Sequence, residues 1–318
     1  MSYETGEILA LVSTPTYDPE QLASLGQRAG ARSWSTLLNH PDEPLKNRAT
    51  REIYPRDRRS EEAGGGGRGH QDGALPSFEL GGTHVVPVAE LVAVYRQLHQ
   101  LRQYHRLAGT GAEDVVQHGV RQPGDSNWAK TKIREMAEAF GFNQEQTIDI
   151  AAATSSYPLE MDEAQTALTA IGQFDVTSSP LQMAQVAAAI ANDGVAMKPY
   201  LVSTVTNRDF TVVSSRQPER MSQPLSSTNA QLLQQMMEAV VADGTGTPAQ
   251  VSGVTVGGKT GTAQTAPDRP PYAWFIGYAK EPKVAIAAFV ENADVERDDI
   301  SGGRLAAPIF KAVVEALQ

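Results

Sequence analysis

A chain of 318 residues with an ordinary apolar fraction can hold one large domain or two small ones. Its formal net charge of −10 argues against nonspecific nucleic-acid binding, and the absence of cysteine excludes disulfides and thiolate metal sites. No apolar run reaches the length of a bilayer span, and no signal peptide is visible.

In chain order, residues 1–55 read as a strand, a Pro-rich loop and one or two short helices. Residues 56–122 are unlike their flanks. Helices are predicted over 128–142 and 180–193; the second is Ala-rich and expected to be buried, with Gly194 as its stop. Leu201–Val205 and Phe210–Val213 are expected to be paired strands. A helix over 230–242 precedes a β-rich run, Val254-Thr255-Val256, that leads into Gly257-Gly258-Lys259-Thr260-Gly261-Thr262. A loop at Pro267–Pro271 is followed by an apolar and aromatic strand over Tyr272–Ala279. Glu281-Pro282 turns the chain into a third strand over Val284–Asn292, whose near-continuous apolar run predicts burial on both faces. Short connections favour antiparallel neighbours. An amphipathic helix over Ala306–Leu317, with Pro308 in its first turn, closes the chain. No internal repeat is evident, and strands covered by helices make an α+β fold the expectation.

Lys259, Thr260, Gly261 and Thr262 are the candidate substrate-binding residues. A lysine there supplies positive charge for a carboxylate, threonine hydroxyls donate and accept hydrogen bonds, and glycines let a ligand backbone lie flat on the strand. Lys-Thr-Gly is one of three elements that mark penicillin-binding proteins and serine β-lactamases. Alone, the tripeptide reads more simply as a Gly-rich turn between strands.

Longer stretches add specificity: Thr5–Pro19, Leu45–Pro55, Ile171–Ala184, Ala187–Gly194 and the Lys259 strand. Together they resemble, in the family's order, the transpeptidase domain of class B penicillin-binding proteins of the actinobacterial type. The resemblance implies a penicillin-binding, serine β-lactamase-like fold, in which an antiparallel sheet is packed by helices beside a helical subdomain. Residues 1–318 are then a single, partial transpeptidase domain. Full-length relatives are expected to carry an N-terminal membrane anchor, a linker domain and a core strand ahead of Met1, so the chain reads as a truncated piece. The family acts at the outer face of the bacterial plasma membrane; without anchor or signal, a cytoplasmic or unstable product is the expectation. The implied partners are a peptidoglycan stem peptide or a β-lactam, with cell-wall synthesis or division proteins beside them. No cofactor and no metal are implied.

The implied chemistry is a serine acyl-enzyme, formed from a D-Ala-D-Ala stem peptide and resolved by the amine of a neighbouring stem. Lys259 and Thr260 would hold the terminal carboxylate, and Thr262 would contact the ligand backbone, its N–H helping to form an oxyanion hole. The family's Ser-x-x-Lys should follow Tyr54-Pro55, with serine at 58 and lysine at 61. The chain has Arg58 and Glu61 there. Ser60 is present, but Ala63 stands where its lysine would be, and no Ser-x-x-Lys occurs anywhere. Arginine neither accepts an acyl group nor loses its proton in proteins. The expectation is an inactive chain, with a non-catalytic pseudoenzyme that binds wall peptide or a division partner as the alternative. A β-lactamase fits less well than a transpeptidase, given the Asn47-to-Pro55 approach. Ser227-Thr228-Asn229, the sole Ser-x-Asn, lies at a helix start and reads as a cap.

Residues 56–122 hold Gly64–Gly67 and five of the six histidines: His70, His84, His99, His105 and His118. Their spacings include no His-x-x-x-His, and His99 and His105 fall on different helix faces, so no metal site is expected. A change of reading frame suits the segment better. Pro-Gly-Ser-Thr-Phe written CCG GGA TCG ACG TTC, read one nucleotide later, gives Arg-Asp-Arg-Arg-Ser, which is Arg56 to Ser60. Leu101–Arg106 written CTC CGG CAA TAC CAC CGC and shifted by one base yields Ser-Gly-Asn-Thr-Thr, a Ser-x-Asn element. The two lie in different frames, so more than one slip is required. Family-like sequence is expected to resume near Lys132.

Overall fold

The computed structural model describes residues 1–23, 27–55, 125–146, 148–162, 165–166, 169, 174–263, 265 and 269–318. The 56–122 segment, with Arg58, Glu61 and its five histidines, lies outside them. The chain runs through α1 (Glu20–Ala23), α2 (Gln27–Leu38), α3 (Arg48–Arg51), β1 (Tyr54–Pro55), α4 (Asp125–Ala139), β2 (Thr177–Ser178) and α5 (Pro180–Ala191). It continues through β3 (Ala196–Met197), β4 (Thr204–Thr206), β5 (Val212–Ser215), β6 (Arg220–Ser222) and α6 (Ser227–Ala242). β7 (Val256–Ala263), β8 (Tyr272–Ala279), β9 (Val284–Val290) and α7 (Ala307–Ala316) complete it.

β7, β8 and β9 form an antiparallel sheet in that order, as the short connections suggest. Its pleat separates two cores. Trp274, Ile276 and Tyr278 lie on the face of α5 and α6, in one core with Phe140, Phe142, Ile190 and Leu233. Phe275 and Ala279 face α7, among Phe310, Val314 and Val251. Gly257 and Gly258 are required by this packing: a Cβ on Gly257 would meet the Tyr278 ring, and one on Gly258 the Phe275 ring. β9 is less enclosed than its composition suggests. Val284, Ala285 and Ala288 are buried, while Ile286, Ala287, Phe289 and Val290 are half-buried, because β8 is the only strand beside it over most of its length among the described residues.

α5 is buried along nearly its whole length, and Ser179 caps it by accepting from Gln182 N at 3.1 Å. Gly194, at φ +87, stops it as expected. α4 ends at Ala139, short of the expected 142. Gly141 turns there with φ +100, and the Phe140 carbonyl accepts from Gln182 Nε2 at 2.7 Å instead of continuing the helix.

Two strand expectations are corrected. The strand expected at the start of the chain is not continuous: Ser2 bridges Val284, Gly6 turns at φ +84, and Glu7 bridges Tyr200. The expected 201–205 and 210–213 pair appears as β4 and β5, displaced toward the C-terminus. The Asp149 carboxylate captures the N–H groups of Leu201 and Val202, each at 2.8 Å, and so keeps them out of the ladder. Phe210 sits in the turn at φ +64, with its ring exposed.

Candidate functional site

Lys259, Thr260, Gly261 and Thr262 all lie on β7, opposite Ile276, Phe275, Trp274 and Ala273 of β8. Among the described residues β8 is the only strand paired with β7, so β7 is a sheet edge. Alternation along the strand puts Lys259 and Gly261 on the face of Trp274 and Ile276, and Thr260 and Thr262 on the face of Phe275. Lys259 is half-buried, and its Nζ donates to the Thr260 carbonyl at 3.2 Å. Thr260 is buried, and its Oγ1 lies 2.7 Å from Thr245 Oγ1. Thr262 is half-buried.

A π turn over Gly302–Ala306, begun by Ser301 accepting from Arg304 N at 3.3 Å, packs on the Thr260 face. At the Gly261–Trp274 pair both side-chain positions point away, which leaves bare backbone on this face. Gly302 fills it. A Cβ there would meet the Trp274 carbonyl and lie 2.6 and 2.7 Å from Gly261 N and O. Beside it, Gly303 abuts Thr260 Cγ2 and the Thr245 carbonyl.

The approach to position 58 arrives on the opposite face. β1 pairs with β2, Tyr54 opposite Ser178 and Pro55 opposite Thr177. The Tyr54 ring packs on Phe289, Tyr272 and Trp274, with centroids 4.0, 5.5 and 6.3 Å away. Those β8 side chains share the face of Lys259. Arg48 Nε pairs with Glu291 Oε2 at 3.0 Å, and Tyr54 Oη donates to the same oxygen at 3.4 Å. Burial, followed by the Glu291 charge, pushes the Tyr54 phenol well above its usual range, so it stays a donor. The chain therefore delivers residue 55 to the side of the sheet that carries Lys259.

The far-side loop is held by Thr177, whose Oγ1 lies 2.7 Å from Ser156 Oγ. Of the Ile171–Ala184 stretch, Phe174 onward is described and runs into β2 and α5. Ser227-Thr228-Asn229 forms the first turn of α6, and the cap is Ser226, one residue earlier, accepting from Asn229 N at 3.3 Å. Thr245, Gly302, Gly303 and Glu291 were missed from sequence. Asp243-Gly244-Thr245-Gly246 and Ser301-Gly302-Gly303 are visible turn signals, but nothing local says that both pack on β7.

The sequence matches the penicillin binding protein transpeptidase domain over residues 114–315, a span that contains all of β7. Peptidoglycan D,D-transpeptidase PbpA of Mycolicibacterium smegmatis is 34% identical, aligned over 98% of this chain and 65% of its own length. The PbpA of Mycobacterium tuberculosis is 35% identical over the same shares. The chain thus spans about two thirds of the length of these curated relatives. Penicillin-binding protein A from M. tuberculosis, solved as a ceftriaxone acyl-enzyme, matches with a TM-score of 0.76 at 29% identity, covering 100% of this chain and 73% of that one. The α+β architecture is that of penicillin-binding transpeptidase structures.

Proposed function

Because the chain belongs to the penicillin-binding protein transpeptidase family, we propose that it is a peptidoglycan D,D-transpeptidase relative of cell-wall cross-linking that binds the D-Ala-D-Ala end of a stem peptide, or a β-lactam, without acylation. The observation that carries the reading is the Lys259–Thr262 segment on a sheet edge, with the Tyr54 ring packed on the face of Lys259. An extended peptide laid along β7 would find alternating main-chain donors and acceptors, as strand-addition ligands do. Lys259 would supply the positive charge for its carboxylate, Thr260 and Thr262 the hydroxyls. Relatives solved as β-lactam acyl-enzymes make a β-lactam the natural probe.

Arg58 has no leaving proton to give and no oxygen to acylate, and Glu61 cannot replace the lysine that takes a serine proton. A fluorescent penicillin should therefore fail to label the chain covalently, while an N-acyl-D-Ala-D-Ala dipeptide binds saturably and Lys259→Ala abolishes binding. Covalent labelling would refute the inactivity; binding unaffected by Lys259→Ala would refute the β7 site. The non-catalytic reading, with wall peptide or a division protein as partner, is the same site used without turnover. Among the described residues no helix is long and apolar enough to cross a membrane.

Residues 56–122 are proposed to be out of frame relative to the family. Sequencing of codons 50–135 from fresh template tests this. Recovery of Ser-x-x-Lys and Ser-x-Asn through corrected insertions or deletions would turn the protein into an ordinary acylating transpeptidase. Bases that stand, with alternative frames lacking both elements, would sink the proposal and leave a repurposed relative.

A further inference from the structure

We propose that Thr245 is a positioning residue for anion binding at β7: its hydroxyl donates to Thr260 Oγ1, which leaves the Thr260 proton to be given to a ligand carboxylate. The proposal rests on the carboxylate-binding reading of β7 above and adds a residue, from a different element, that decides whether that strand presents a donor.

Thr245 lies in the turn that leaves α6. The N–H groups of Gly244 and Gly246 both donate to the Val240 carbonyl, at 3.1 and 3.0 Å, and pin the turn to the helix end. A Cβ at Gly244 would stand 2.8 Å from the Val240 carbonyl oxygen, too close to be admitted, and one at Gly246 would be tight against it at 3.1 Å. On its other side the Thr245 carbonyl is met by Gly303. The residue is thus held by a helix end and by the π turn, and its hydroxyl sits 2.7 Å from that of Thr260.

A hydroxyl carries one proton and two acceptor lone pairs. Two oxygens this close share one proton between them, and there are two ways to place it. When Thr260 donates to Thr245, the oxygen it offers to a ligand shows lone pairs, which repel a carboxylate. When Thr245 donates, Thr260 keeps its own proton for the ligand. An anion along β7 selects the second arrangement, and Thr245 makes that arrangement available. It also fixes the Thr260 rotor, so the donor needs no ordering when the ligand arrives. Lys259 acts from the other face of the strand, where its Nζ already donates to the Thr260 carbonyl. Charge and donor therefore reach the same peptide unit from opposite sides.

The test uses the full chain with Thr245→Val, which keeps the shape and removes the hydroxyl, and Thr245→Ser, which restores it. Binding is measured with N-acetyl-D-Ala-D-Ala and with its C-terminal amide, which lacks the charge. In the ligand-free protein, three-bond couplings to the Thr260 methyl report its χ1. Thr245→Val is expected to weaken acid binding about tenfold, as for loss of a hydrogen bond that supports a charged group, and to leave amide binding nearly unchanged. Thr260 should hold one rotamer in the parent and in Thr245→Ser, and average in Thr245→Val. Retained acid affinity with a single Thr260 rotamer in Thr245→Val overturns the proposal, as does an equal loss for acid and amide. Acid binding that survives Lys259→Ala, or no acid binding by the parent, overturns the carboxylate reading and the relay with it; the coupling data then report separately whether Thr245 sets the Thr260 rotamer.

Discussion

Tyr54 and Phe289 are in contact across 235 residues of sequence, their ring centroids 4.0 Å apart and their planes tilted by 37°. One ring belongs to the short strand that leads to residue 56, the other to the outer strand of the central sheet. Trp274 completes the cluster at 4.4 Å from Phe289. This contact, with the Arg48–Glu291 pair beside it, fastens the N-terminal segment to the sheet that holds Lys259.

Tyr54→Ala is expected to destabilise the fold by about 3 kcal/mol, since Tyr54 is almost fully buried and its removal leaves a cavity among three rings. Tyr54→Phe keeps the ring and loses only the bond to Glu291, so about 1 kcal/mol is expected. Urea unfolding of both variants checks this; equal losses would mean that the hydroxyl, not the ring, is the fastening.

Gly302→Ala forces a methyl group against the Trp274 carbonyl and both polar backbone atoms of Gly261. Backbone cannot rotate aside as a side chain can, so a loss of about 3 kcal/mol is expected. The displaced strand should also lose its ligand. Unchanged thermal stability would show that the π turn yields instead of β7.

Gln182 is fully buried and makes two ties: its Nε2 donates to the Phe140 carbonyl at 2.7 Å, and its Oε1 accepts from Gln146 Nε2 at 2.6 Å. Gln182→Met fills the space without the polar atoms. It strands the Phe140 carbonyl at the end of α4 and is expected to cost about 2 kcal/mol. Chemical denaturation measures the loss, and a neutral outcome would mean that water reaches the site.

The Asp149 carboxyl is held below its usual value by the Val202 and Leu201 N–H groups, with Arg216 adding a smaller effect. A carboxyl whose folded value is depressed contributes stability that is complete above its unfolded value and lost as pH falls through the folded one. The β4–β5 hairpin should therefore loosen below about pH 4. Asp149→Ala is expected to speed amide exchange at Leu201, Val202 and the hairpin already at neutral pH, and to remove the acid dependence. Exchange rates equal to the parent would show that the strand pairing alone holds the hairpin.

The sequence by itself determined the order of the C-terminal elements, the burial of α5 and the Gly194 stop, and placed Lys259–Thr262 on a strand. These are local matters of apolar period and of residues whose φ or missing side chain admits one conformation. It also puts Arg58 and Glu61, neither of which can serve as a serine nucleophile, a few residues past Tyr54-Pro55. Only the tertiary structure decided which face each β7 side chain takes, that Thr245 meets Thr260, that Gly302 lies on Gly261, and that Tyr54 lands on Phe289. It likewise took Leu201 and Val202 away from the strand their composition predicts, because an aspartate 52 residues earlier reaches their N–H groups first. Such contacts depend on how elements dock, and the composition of a single segment holds no record of what will be packed against it.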